Sequence, residues 1–447
     1  MTETKQVTTR WERRTARPIA RKTAKALVVI AAAACRSTAD VTLGEEDVVS
    51  TSTEVGAAPM FALSPSGGRT VAWVSAPGGG TDGRLYVATD GAAPAELRDS
   101  TGGIEPHGEA PPKIVYAPDG TLHALYAVGR TVEGRRFPFT TLRLASSHDG
   151  GRSWSAPRTV GGDSVPGSRN FHALHAAADG SLYVTWLEAR GGMKSATYIT
   201  RSTDAGVTWE TAVRVATSES CPCCRTAIAT ADDGTLYLAW RAVLPGNVRD
   251  IVVASSRDAG KSWSQPVRAH ADDWVFDGCP HAGPSLAVDS RRVVHIAWWT
   301  GKDSAAGVWY ARSEDGARTF GDAIPLGVAA FSRPAHVQLA LDGDSSVVAA
   351  WDDAREALPA VTLRVSRDGG RTFGEPVIAS VAGVAATFPV LALRHGKITV
   401  AWAQRSRESM AHAEHARPDM KDPKATMPLP SVGAQEIRVR SGAITGG

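Results

Sequence analysis

Four of the five cysteines in this 447-residue chain fall in two short, closely matched stretches. Cys221-Pro-Cys-Cys-Arg225 precedes Trp240 by the same interval at which Cys279-Pro-His-Ala-Gly283 precedes Trp298. Set on these tryptophans, Cys221 aligns with Cys279 and Cys223 with His281. Thiolates and imidazole are soft donors that suit Zn²⁺ or Cu⁺. The expected ligand set is therefore Cys221, Cys223, Cys224, Cys279 and His281, with copper or zinc as the ion. The C-x-C-C spacing is not that of a zinc knuckle, which keeps a two-residue gap between its cysteines. Two other chemistries fit the same residues. In an oxidising compartment four cysteines pair into two disulfides, with Cys221–Cys279 one option. Left unpaired, they could form a redox-active thiol site.

Other polar side chains fall at related positions, ahead of other strands: His107, Glu109, Arg169, Asn170, His172, Arg225, Arg333 and His336. Of these, His107 and His336 are candidate additional ligands. So are Met410, His412 and His415 in the long segment "ESMAHAEHARPDMKDPKATM", which also carries Met420 and Met427. Methionine beside histidine tilts the ion toward copper, although such a segment also reads as a solvated loop. His172 and His175 alternate with apolar residues, which fits core histidines of a strand as well.

The elements that must position these groups are repeats. Ser147-His-Asp-Gly-Gly-Arg-Ser-Trp154 recurs as Ser202 to Trp209, Ser256 to Trp263 and Ser366 to Phe373, with a variant at Ser313 to Phe320 that has Ala317 in place of glycine. A worn copy holds Asp90. The series Asp90, Asp149, Asp204, Asp258, Asp315 and Asp368 advances at a nearly constant interval. Ahead of each box runs a hairpin pattern ending on an aromatic, at Trp73, Tyr126, Trp186, Trp240, Trp298, Trp351 and Trp402. Seven such units of alternating apolar residues and Gly/Asp turns each supply three or four strands.

The S-x-D-x-G-x-[ST]-[WF] motif resembles the Asp box, or BNR repeat, of sialidases and related propellers. The resemblance implies an all-β fold, a seven-bladed Asp-box β-propeller, with a six-bladed sialidase-like propeller as the alternative. It implies structural roles for Asp149, Asp204, Asp258, Asp315 and Asp368 on the turns between third and fourth strands. It also places the loops leading into the innermost strands on the opposite face, where the cysteines would meet near the axis. The seventh unit shows no box and ends early, so a strand near Asp40–Val49 is expected to complete its sheet and close the ring.

The formal net charge of +3 comes from the stretch ending at Ala34, which holds eight Lys/Arg and two Asp/Glu; the remainder is acidic, and nucleic acid is not an expected partner. That basic stretch runs into the apolar segment Ala26 to Ala34 and then Cys35. It reads as an export signal over residues 1–35, with Cys35 as a lipidation site of lipobox type and ordinary cleavage nearby as the alternative. Residues 36–56 read as tether and closing strand, and 57–447 as one propeller domain. The expected location is extracytoplasmic, either held to a membrane through the lipid alone or secreted, as a monomer.

The likeness to sialidases implies an arginine triad, a tyrosine nucleophile with its glutamate, and an aspartate acid/base. The chain departs from that pattern. The stretch "EVGAAPMFAL" has no R-I-P arginine, and Tyr86, Tyr116, Tyr126, Tyr183, Tyr198, Tyr237 and Tyr310 all fall in expected strands. Arg169, Arg225, Arg241, Arg333 and Arg355, with Glu188, Asp352 and Asp353, remain available as loop groups. Three functions stay open: a metal-binding propeller, a sialidase-type hydrolase or glycan-binding protein, and a protein-binding scaffold with structural disulfides.

Overall fold

In a computed structural model the described residues are 41–50, 56–75, 83–130, 132–133, 138–161, 167–190, 193–329, 332–405 and 435–445. The export segment with Cys35, and the candidate ligands Met410, His412 and His415, lie outside them. Among the described residues no helix is long and apolar enough to cross a membrane.

The chain forms seven small antiparallel sheets, the blades of a seven-bladed β-propeller. The innermost strands are Gly56–Leu63, Lys113–Tyr116, Asn170–Ala176, Ala227–Thr230, Ser285–Val288, Val337–Asp342 and Ala385–Arg394. Each touches the next in this order, and the last touches the first. The ring of seven is closed by the first and last described strands. Val41–Val48 pairs antiparallel with Glu436–Ile444, running from Val41 opposite Ile444 to Val48 opposite Arg438. It thereby supplies the fourth strand of the seventh blade, as the missing unit required.

Second strands are sandwiched between blades, so both of their faces need apolar or satisfied groups. Leu182–Glu188, for example, is buried at every position. The aligned aromatics Trp73, Tyr126, Trp186, Trp240, Trp298, Trp351 and Trp402 all lie in these strands and are at most 3% exposed.

Each Asp box makes one local network at the turn after the third strand. In the second blade, Ser147 Oγ donates to Asp149 and accepts from Gly151 N, while Asp149 accepts from the N–H and hydroxyl of Ser153. Both residues after the aspartate have positive φ, 74° at Gly150 and 93° at Gly151. Ala317 adopts φ 62° in the variant box, a conformation that disfavours a Cβ. Box glycines also sit hard against the preceding blade, since a Cβ on Gly206 would come within 2.2 Å of Leu144 Cδ2. The box aromatics complete the inter-blade cores, with Trp209 among residues of the second and third blades.

Candidate metal centre at the channel mouth

The chain enters the fourth blade along its inner edge. Glu219–Ser220 pairs with Ala242–Val243 at the end of the second strand, whereas the innermost strand begins only at Ala227. The intervening turn folds the sequence Cys-Pro-Cys-Cys into the mouth and is held by Cys221 N donating to Arg241 O at 2.8 Å. Cys221, Cys223 and Cys224 are at most 4% exposed. Cys223 and Cys224 sulfurs each lie 3.6 Å from that of Cys221. A tetrahedral ion with bonds of about 2.3 Å to sulfur spaces its ligands roughly 3.7 Å apart.

The matching turn of the fifth blade brings exposed Cys279 and His281 alongside. The donor atoms of Cys221, Cys223 and Cys224 lie within 4.8 Å of one another, as do those of Cys223, Cys279 and His281. All five expected ligands therefore converge. All four thiols are unpaired, and the Cys221–Cys279 bridge is not formed. His281 holds φ 51°, and Gly283 allows its backbone to approach the fourth blade, because a Cβ there would meet Arg225 O at 2.4 Å.

Hydrogen bonds from Cys223 and Cys224, assisted by the field of Arg241, hold the Cys221 thiol well below its ordinary range, while Cys223 and Cys224 are pushed up. Arg241 belongs to the strand Leu236–Val243 rather than to a loop, which corrects the sequence expectation. It is 1% exposed, and among the described residues its guanidinium donates only to the carbonyls of Arg249, Ala282 and Trp299. A buried cation without a carboxylate is costly, and anionic sulfur beside it offsets that cost.

A second constellation adjoins the thiols and marks the axis. Glu109, on the loop leading into the second blade, accepts at Oε1 from Arg225 N of the fourth blade (3.1 Å) and from Gly283 N of the fifth (2.7 Å). Its Oε2 lies 3.6 Å from Arg225 Nη1 and 3.4 Å from Nε2 of His336, which leads into the sixth blade. One carboxylate can reach so many blades only where they converge. The His336 ring donates from Nδ1 to Asp352 (2.7 Å), and Asp352 also accepts from Phe388 N of the seventh blade. Burial would discharge His336, but Asp352 and Glu109 outweigh it and raise its pKa. The loop is pressed inward, since a Cβ on Gly108 would sit 2.3 Å from the Phe388 ring.

His107 stands beside the thiol cluster, with its ring centroid 5.9 Å from that of His281. Its Nδ1 accepts from Glu109 N, which leaves the proton on Nε2 of the neutral ring. Burial lowers its pKa to about 4. His107 and His336 thus lie next to the two converging donor sets without belonging to either.

Other candidates are dispersed. Arg169 and Arg190 pair with buried Glu188 within the third blade. Arg355 pairs with Asp353 on the surface, and exposed Arg333 reaches the Ala357 carbonyl. His172 is fully buried as a core histidine, while the ring of His175 bonds Thr230. All seven tyrosines lie within strands.

Three mouth residues escaped sequence reasoning. Phe171 and Phe388 both hold φ 54°, rare for a bulky side chain, at bulges where the third and seventh blades' innermost strands begin. Their shared position ahead of an apolar alternation was the available signal. Lys113 is buried beside Arg225 and Glu109, and desolvation lowers its pKa to about 7.

A search of the curated proteins finds no match. Among solved structures, polysaccharide lyase Uly1 superposes with TM-score 0.52 at 11% identity, covering 90% of this chain and 99% of its own. An ulvan lyase of family PL25 gives 0.51 at 12% identity, covering 81% and 91%. A protein of unknown function from Dyadobacter fermentans gives 0.50 at 13% identity, covering 91% and 100%. At such identities the likeness concerns the fold alone. In sequence, the BNR repeat-like domain family matches over residues 93–273 and 180–419, which takes in most of the propeller. With its repeats, its boxes and this match, the chain belongs to the BNR repeat-like domain family.

Proposed function

We propose that this is an extracytoplasmic, sialidase-like Asp-box propeller that binds a soft metal ion, copper or zinc, at a Cys/His centre in the channel mouth. The observation that carries the reading is the convergence of Cys221, Cys223, Cys224, Cys279 and His281 from two neighbouring blades. The uncompensated Arg241 guanidinium favours thiolates there, and thiolates without protons are what a soft ion needs. Export rests on the basic and apolar segment ending at Cys35. Protein purified under reducing conditions should hold metal by elemental analysis, and Cys221→Ser and Cys223→Ser should each lower the content at least several-fold. Unchanged metal in both variants would remove the centre. Cys35→Ser should release the protein from membranes if the cysteine is lipidated.

A second reading is a glycan-binding or glycan-cleaving protein. It is favoured by the axial set of Glu109, Arg225, His336 and Asp352, which offers charged donors and acceptors at the mouth. Turnover of a fluorogenic sialoside, abolished by Glu109→Gln, would establish it.

A further inference from the structure

The five donors number more than one tetrahedral ion accepts, and they do not form a single shell. Among the described residues they fall into two sets of three, Cys221/Cys223/Cys224 and Cys223/Cys279/His281, and the only residue common to both is Cys223. Resting on the metal-binding reading above, we propose that the mouth holds a pair of copper(I) ions, one in each set, bridged by the Cys223 thiolate.

Structural protein zinc takes four protein ligands in a closed tetrahedral shell, and neither set closes four donors; zinc on three ligands would need a water in its fourth position. Copper(I) is satisfied by three soft donors in a trigonal arrangement, and thiolate-rich surroundings select it. A thiolate sulfur keeps more than one lone pair after binding one ion, so Cys223 can serve a second on its other side. Charge points the same way. Two monovalent ions among four thiolates leave an anionic cluster, matched to the buried Arg241 guanidinium, which has no carboxylate among the described residues. Two zinc ions would cancel the thiolate charge and leave that arginine uncompensated. Burial orders the sites. Cys221, Cys223 and Cys224 are enclosed, whereas Cys279 and His281 face solvent, so the outer set is where an ion enters.

The test uses the full chain, reduced and kept anaerobic, titrated with copper(I) against a chromophoric copper(I) chelator, with metal per chain measured after desalting. The expected result is two copper ions per chain and a copper–copper scattering path in the X-ray absorption spectrum. Cys279→Ser, at an exposed position, should halve the stoichiometry and abolish that path while leaving the thermal midpoint of the apo protein unchanged. One ion per chain, or two without the copper–copper path, overturns the bridged pair and leaves the metal-binding reading standing. No copper and no zinc bound overturns both. Should variants of the buried cysteines fail to fold, the wild-type stoichiometry and spectrum decide the matter alone.

Discussion

The two faces of this ring are built on opposite plans. On the box face one small network recurs, closed within a single turn, with its aspartates turned toward solvent. At the mouth no single network recurs, charges are buried, and Glu109 finds partners 116 and 174 residues away. The box face shows how a repeat is stabilised. The mouth shows what happens where the repeats are allowed to differ: strained residues such as Phe171, His281 and Phe388 gather there, and so does the candidate chemistry.

If the contrast is real, the two faces should fail differently. Glu109→Ala leaves the N–H groups of Arg225 and Gly283 without an acceptor and His336 without one of its carboxylates. It should cost about 3–5 kcal/mol in denaturant unfolding, as loss of one member of a buried charge network does. Glu109→Gln keeps the acceptor and should recover part of this. A small loss from the alanine variant would mean the hub is not a network.

The pH dependence should separate the box aspartates from His336 by sign. Hydrogen bonds hold Asp204, Asp258, Asp315 and Asp368 at about 2, below their ordinary 3.8; for Asp315 and Asp368 these bonds overcome an opposing desolvation. Their contribution is complete above the unfolded value and is lost as pH falls toward 2, so the thermal midpoint should drop steeply in acid. His336 is raised above 6.5 by Asp352 and Glu109 against burial and the repulsion of Arg225. Its contribution is therefore full below 6.5 and is lost as pH rises through the folded value. Glu109→Ala should weaken this alkaline dependence and leave the acid one, as followed by thermal melts across pH.

Single boxes should matter less. Asp204→Ala removes acceptors for Thr208 and Ser202 at one turn and should cost about 1–2 kcal/mol by chemical denaturation, without affecting metal content. The smallest effect should come from Ala317→Gly. It relieves φ 62° in the variant box but gives up a buried methyl, so a stabilisation of roughly 0.5 kcal/mol in the same assay is expected.

The unequal legibility of the two faces follows from the same contrast. Boxes and second-strand aromatics are local and periodic, so counting along the chain found the blades, and the unit lacking a strand pointed to Val41–Val48. The cysteines could be placed because they sit at equal distances from Trp240 and Trp298, and neighbouring blades keep that equivalence in space. Glu109 was visible as a loop carboxylate, but its partners could not be read, since no period links it to Arg225, Gly283 and His336. Arg241 was mistaken for a loop group because a charged residue rarely ends a buried strand; here three carbonyls satisfy it.

The clasp between Val41–Val48 and Glu436–Ile444 also imposes a schedule. Joining strands separated by nearly the whole chain carries a length-dependent entropy cost of about 5 kcal/mol, so this zipper is a late event after synthesis. The cysteines need only two consecutive repeats to meet, whereas Glu109 must wait until distant repeats have curved into a circle. The sulfur nest therefore needs only local closure, whereas the ionic hub needs the whole circle, which the pairing of Val41–Val48 with Glu436–Ile444 completes.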